Sequence, residues 1–252
     1  MRAALVVHRV GPSIEASLLA MEERVCQAAG PGADLVLFPE AALTGLANND
    51  EPAHDLPLGQ PIPGPATERL AAVAARHSVY LATGLLEREG GCLYDSAVLF
   101  DPAGSMVFRY RRIQPQWHGR GADRRVYRQG DRIEVAETPW GRVSCLLCGD
   151  LFDDTIVARL REVRPDLLLF PFARNFSDGS FDQDRWSREE EAAYAARAAV
   201  AGCTTLMVNL LEDAVEREYP GFGGAMVVSP LGEVLARWPL GSPGILCFDW
   251  RP

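Results

Sequence analysis

Short apolar runs rich in leucine and β-branched residues alternate along the chain with longer segments whose apolar positions recur at helical spacing. Residues 3–7 read as a strand. Residues 14–29 read as a helix, with Leu18, Leu19, Met21 and Val25 on one face and Gly30-Pro31-Gly32 ending it. Residues 34–38 read as a strand buried on both faces, Asp34 leading the unbroken apolar run Leu35-Val36-Leu37-Phe38. Residues 66–77 are an alanine-rich helix and residues 79–85 another buried strand. Residues 96–101 and 106–110 form a hairpin around Asp101-Pro102-Ala103-Gly104, a good turn tetrapeptide.

The second half repeats this grammar. Asp34-Leu35-Val36-Leu37-Phe38-Pro39 returns as Asp166-Leu167-Leu168-Leu169-Phe170-Pro171. Residues 80–87 return in similar form as 205–212, and the hairpin turn with its following strand returns at 229–235. The separations are nearly constant, about half the chain, so two related α/β halves are expected to share one core in a single domain, residues 1–252. Buried strand runs with alanine-faced helices beside them imply a sandwich of sheets covered by helices. The longest irregular stretches, 48–65, 114–130 and 174–187, are the expected binding loops.

Composition narrows the chemistry. The 252 residues carry a net charge of −9, with a pI near 5.0. A global basic field for nucleic acid or anionic membrane is therefore absent. Arginines 109, 111, 112, 120, 124, 125 and 128 cluster locally, but without the aromatic interleaving of a nucleic-acid platform. No apolar run approaches the ~18 residues of a membrane span, and residues 3–7 are too short for a signal-peptide core. Six cysteines, mostly within apolar runs, read as reduced thiols of a cytoplasmic protein. All 25 basic residues are arginine. A lysine base, a Schiff base and a phosphate-loop lysine are thereby excluded.

Three places carry candidate chemistry. Glu40 follows a buried strand and Pro39, at the strand edge where open α/β sheets place ligand groups. Partial burial would raise its pKa and suit a general base, although a glutamate at a helix N-terminus would look the same. Cys148 ends the apolar strand pattern 143–147 and is followed by Gly149, a strand–nucleophile–glycine turn that exposes a thiol beside backbone N–H groups. These residues alone leave a catalytic and a core thiol equally open. They disfavour a redox pair with Cys145, because residues three apart on a strand face opposite sides. Arg112 leaves a strand on the same side as Phe108 and Tyr110, where it would stabilise an anion or simply charge an edge strand.

Taken in this order and spacing, these three places resemble the nitrilase superfamily of carbon–nitrogen hydrolases. The resemblance runs through Thr44-Gly45, Asp101-Pro102-Ala103-Gly104, Tyr110-Arg111-Arg112-Ile113, Gly130-Asp131, Thr138-Pro139-Trp140-Gly141-Arg142-Val143 and Cys148-Gly149-Asp150. It continues through Ala196-Arg197-Ala198, Asn209 and Phe222-Gly223-Gly224-Ala225-Met226 to Pro230-Leu231-Gly232. It implies an α/β fold in four layers, an α-β-β-α sandwich with two internally related halves. It also implies a homodimer or higher homo-oligomer and a small-molecule substrate, with no metal, organic cofactor, nucleic acid or membrane partner.

The chemistry implied is that of a cysteine nucleophile with a glutamate and a lysine. Carried over by position, Cys148 is the nucleophile and Glu40 the general base. The lysine position is Arg112, and a supporting carboxylate before the Gly130-Asp131 turn is Asp123, the expected partner of Arg112. The resemblance implies attack of Cys148 on an amide, carbamoyl or nitrile-type carbon, through a thioester or thioimidate. A non-hydrolytic acyl transfer or a catalytically silent scaffold remains open. Candidate substrate-binding residues are Gly149, Asp150, Trp117, Phe172, Arg174 and Asn175.

Overall fold

The structure, a computed structural model, describes residues 1–213 and 219–251. The first half is built from β1 (Arg2–Val7), α1 (Ile14–Ala29), β2 (Leu35–Leu37), α2 (Pro52–Asp55), α3 (Pro65–His77), β3 (Tyr80–Glu89), β4 (Cys92–Phe100) and β5 (Met106–Arg111). The second half follows with β6 (Val135–Thr138), β7 (Gly141–Cys145), a 3₁₀ turn at Cys148–Phe152, α4 (Asp154–Glu162), β8 (Leu167–Phe172), α5 (Gln183–Glu189) and α6 (Glu191–Ala201). Strands β9 (Thr204–Asn209), β10 (Ala225–Val228), β11 (Val234–Trp238) and β12 (Gly244–Asp249) complete it.

The helices begin and end where local chemistry requires. Ser13 caps α1 by accepting from the Ala16 amide, and Asp153 caps α4 by accepting from Thr155 and Ile156. Ser78 and Gly202 end α3 and α6 in the left-handed conformation.

Two six-stranded sheets result, in the orders β12-β1-β2-β3-β4-β5 and β11-β10-β9-β8-β7-β6. In the first, β1, β2 and β3 are parallel and β3-β4-β5 an antiparallel meander. In the second, β7, β8 and β9 are parallel and β9-β10-β11 an antiparallel meander. The halves read from the repeat thus have the same topology, each with one extra antiparallel edge strand, β12 or β6. Helices α1 and α3 pack on the outer face of the first sheet through Leu18, Met21, Val25, Leu70 and Val73. The larger apolar cluster joins inward residues of both sheets to α4 and α6. The architecture is the four-layer α-β-β-α sandwich, and no helix among the described residues is long and apolar enough to cross a membrane.

The sequence and the structure differ mainly at element ends. Strand β3 continues through Leu86 to Glu89, because β4 pairs with it over its whole length. The stretch 48–65 contains the short helix α2, whose buried Asp55 accepts from the Asn49 and Asp50 amides, the Tyr127 hydroxyl and His54.

Candidate active site

The ends of β2, β5 and β7 converge with the middle of β4. Glu40 sits on the turn after β2 and is 0% exposed. That turn is clamped to β3 by two backbone hydrogen bonds, Gly84 N to Pro39 O (3.0 Å) and Ala42 N to Gly84 O (2.9 Å). A Cβ on Gly84 would lie 2.5 Å from the Glu40 Cα, so only glycine permits the approach.

Arg112 follows β5 on its buried side, in line with Phe108 and Tyr110, and is 3% exposed. Its Nη1 donates to Glu40 Oε1 at 2.8 Å and to Asp95 Oδ2 at 3.3 Å, and its Nη2 donates to Gln114 Oε1 at 3.2 Å. Its backbone N–H donates to Asp95 O, and the Gly130 N–H donates to its carbonyl. The hairpin sets this pairing, since Ser96 lies opposite Arg111. Cys148 opens the 3₁₀ turn after β7 with φ of +43°, a left-handed conformation that strains a residue bearing a Cβ. Its Sγ lies 3.7 Å from Ala173 O, close enough to Glu40 for its charge to act on that carboxyl.

Asp150 lies buried under this turn and joins its parts. It accepts from the Tyr110 hydroxyl (2.6 Å), from the Ile113 and Gln114 amides (3.1 and 2.8 Å) and from the Leu147 amide (3.2 Å). One carboxylate thereby fixes both the segment carrying Arg112 and the turn carrying Cys148.

Electrostatics follow from burial. Burial pushes the Glu40 carboxyl up to about 8; the nearby Cys148 sulfur adds to this, while Arg112 opposes it. Burial, and then the Glu40 charge, hold the Asp95 carboxyl well above the usual range. Asp150 is raised to about 6 by burial, against the donors it accepts. Burial works against the charge of Arg112, but Cys148, Glu40, Asp95 and Asp150 together favour it, so the guanidinium stays charged. The cluster therefore combines a thiol, a carboxyl able to take its proton near neutral pH, and a fixed cation.

Above the thiol opens a cleft of about 660 Å³, lined among others by Gln114, Gly149, Phe152, Arg174, Glu190 and Tyr194. Gly149 belongs to the cluster as well: a Cβ there would stand 2.7 Å from Arg112 Nη2 and 2.8 Å from Gln114 Oε1.

The family model of carbon–nitrogen hydrolases matches residues 2–250. The chain belongs to the carbon–nitrogen hydrolase family. This carbon–nitrogen hydrolase is 27% identical to Nitrilase 3 of Arabidopsis thaliana, over 93% of its own chain and 73% of the plant protein. It is 29% identical to an aliphatic nitrilase of Sinorhizobium fredii (strain HH103), over 98% and 85% of the two chains. A carbon–nitrogen hydrolase from Helicobacter pylori G27 has a similar structure, with a TM-score of 0.84 at 21% identity over 98% and 88% of the chains. So does an amidase from Nesterenkonia sp., with a TM-score of 0.81 at 23% identity over 100% and 90%.

Of the residues expected in the hydrolase site, the structure brings together Glu40, Arg112, Cys148, Gly149 and Asp150, with Arg174 on the cleft wall. Asp123 is elsewhere. It lies at the surface and pairs with the exposed Arg125 at 2.8 Å; its hydrogen bonds to Arg125 pull its pKa down to about 2. The carboxylates that meet Arg112 are Glu40 and Asp95, because hairpin pairing brings Asp95 to it while the 114–130 loop carries Asp123 outward.

Trp117 does not line the cleft; it packs with Leu86, Leu93, Ala122 and Tyr127 in a separate apolar cluster. Phe172 is buried behind the cleft wall, its ring 5.1 Å from that of Tyr194, and it lines a separate groove of about 430 Å³. Asn175, half-buried beyond Arg174, also lies off the cleft. Asp150 is buried beneath the cleft floor and braces it without lining it. Arg174 is held by Glu190 in a two-pronged ion pair of 2.7 and 2.5 Å, and Asn209 grips its backbone from both sides.

Sequence reasoning did not single out Asp95, Gln114, Glu190 or Tyr194. For Asp95 a signal existed: an acid inside an apolar strand, opposite Arg112 if the hairpin register is counted back from the turn. The register shift between Leu99 and Phe100 makes that count slip by one.

Proposed function

We propose that the protein is a cysteine-dependent hydrolase of small amide, carbamoyl or nitrile-type substrates, working through a thioester or thioimidate on Cys148 with Glu40 and Arg112. The observation that carries this reading is the buried Arg112–Glu40 ion pair beneath a strained Cys148 at the floor of a substrate-sized cleft.

The steps follow from the geometry. Glu40 takes the thiol proton as Cys148 Sγ attacks the substrate carbon. The negative charge that develops on the substrate oxygen or nitrogen is held by the guanidinium of Arg112 and the backbone N–H of Gly149. Arg112 takes the part of the ammonium in related enzymes as a fixed charge; its guanidinium stays charged and donates no proton. For an amide, the proton on Glu40 passes to the leaving nitrogen and the C–N bond breaks, leaving a thioester. Glu40 then removes a proton from water, the water oxygen adds to the thioester carbon, and the C–S bond breaks. The proton returns to the sulfur and the carboxylic acid leaves.

Amides are the first probes to use. A mutant of the amidase from Nesterenkonia sp. AN1 shows covalent addition of the acetamide moiety of fluoroacetamide at its active-site cysteine. The test is ammonia release from short aliphatic amides and nitriles, with intact-mass spectrometry of the enzyme during turnover. The proposal expects an acyl or imidoyl adduct on Cys148 and complete loss of turnover in Cys148→Ala. Turnover that persists in Cys148→Ala overturns it.

A further inference from the structure

Asp95 takes no part in the steps above, yet it is 1% exposed and enclosed by the groups that do. Its Oδ2 accepts from Arg112 Nη1, the same nitrogen that donates to Glu40 Oε1. The two carboxyls therefore converge on a single guanidinium nitrogen. Each has one buried oxygen that no donor reaches, Glu40 Oε2 and Asp95 Oδ1.

Two carboxylates held away from water on one guanidinium nitrogen do not both stay ionised. A single proton between them removes the repulsion and supplies the missing hydrogen bond. The bond lengths indicate its owner. Charge-assisted hydrogen bonds are the shorter ones, and Arg112 lies 2.8 Å from Glu40 but 3.3 Å from Asp95. Around the pair stand Arg112 after β5, Cys145 at the end of β7, Cys148 and Asp150 on the 3₁₀ turn and Tyr194 on α6. Arg112 is the one cation in this set, and the charge of Asp150 is met by its own four donors.

We infer that Asp95 is a positioning residue that stays a neutral carboxylic acid, carries its proton on Oδ1 and donates it in a hydrogen bond to Glu40. Glu40 is then the one carboxylate of the pair that exchanges a proton with Cys148. The inference rests on the reading of Glu40 as the base for Cys148. Without the Asp95 donor, Glu40 would hold its proton to higher pH and less thiolate would form near neutrality.

The test is the pH dependence of Cys148 alkylation by iodoacetamide, followed by peptide mass mapping because Cys26 and Cys247 are exposed and Cys92 is half-buried like Cys148. It compares the unaltered protein with Asp95→Asn and Asp95→Leu. An asparagine keeps a carbonyl for Arg112 and an N–H for Glu40; a leucine keeps neither. The expected midpoint for Asp95→Asn lies within about 0.3 of the unaltered one, while Asp95→Leu moves it up by about one pH unit and slows alkylation at pH 7 about tenfold.

A downward shift in both variants would make Asp95 an ionised neighbour and overturn the inference; so would an unmoved midpoint in Asp95→Leu. Should the leucine variant not fold, infrared difference spectra of unaltered protein against Asp95→Asn decide at neutral pH. Loss of a protonated-carboxyl C=O stretch supports the inference, and no change overturns it. Failure of the hydrolase reading would show separately, as absent ammonia release and absent acyl adduct with the alkylation profiles intact.

Discussion

Gly149→Ala asks whether the position of the Arg112 guanidinium controls the reaction. Gly149 has no left-handed φ, so alanine fits the backbone and the perturbation is the added methyl alone. That methyl would stand 2.7 Å from Arg112 Nη2 and 2.8 Å from Gln114 Oε1, well inside van der Waals contact. The guanidinium has to retreat by several tenths of an ångström. It is fastened by Nη1 to Glu40 and Asp95, so the movement lengthens those bonds or breaks the Nη2–Gln114 bond. Loss of one charge-assisted hydrogen bond is worth ~1.5–3 kcal/mol, or about 10- to 100-fold in rate. We expect kcat/KM to fall within that range, with kcat carrying most of the loss. Overpacking should lower stability by ~1–3 kcal/mol. The assay is ammonia release from the fastest short aliphatic amide or nitrile, beside urea unfolding. A kcat/KM within twofold of the unaltered enzyme would refute the reasoning.

Other expectations follow from the same geometry. The Glu40 carboxyl rises from 4.5 to about 8 on folding, so its contribution to stability is complete below about 4.5 and is lost as pH rises through about 8. Urea unfolding of Glu40→Gln should therefore show a flatter decline across that window than the unaltered protein, by a few kcal/mol on the order-of-magnitude scale of such shifts. Over the same window kcat/KM should climb toward a midpoint near 8 as the base ionises. Asp150→Asn should lose ~2–4 kcal/mol of stability in the same assay and at least about tenfold in kcat, because it disturbs a carboxylate with four donors at once. Asp123→Ala, which removes only a surface ion pair, should leave the urea midpoint unmoved and change kcat/KM by less than about twofold.

Much of this was legible in the chain itself. Buried strands announce themselves as apolar runs, and the repeat of 34–39 at 166–171 anticipated two sheets of one topology. Alternation along β5 placed Arg112 on the buried side correctly, since burial on a strand has a period of two. Periodicity fails in the loops. Trp117 and Asp123 lie in a stretch with no regular repeat, so nothing in the sequence says which way they face. The structure turns Trp117 inward to its own small cluster and Asp123 outward to Arg125. Partners across the sandwich are equally hidden. Glu190 meets Arg174, and Tyr194 meets the cleft, only because α6 packs back over the second sheet. The absence of lysine, at first a fact of composition, has a structural counterpart: the cation of the cluster is an arginine, held by Glu40, Asp95 and Gln114.

The account stands most directly on Cys148. Intact-mass spectrometry of the enzyme, quenched during turnover of a short aliphatic amide, should reveal one acyl group per chain, mapping to the Cys148 peptide and absent from Cys148→Ala. An active enzyme that carries no adduct at Cys148 and keeps its rate in Cys148→Ala would contradict it.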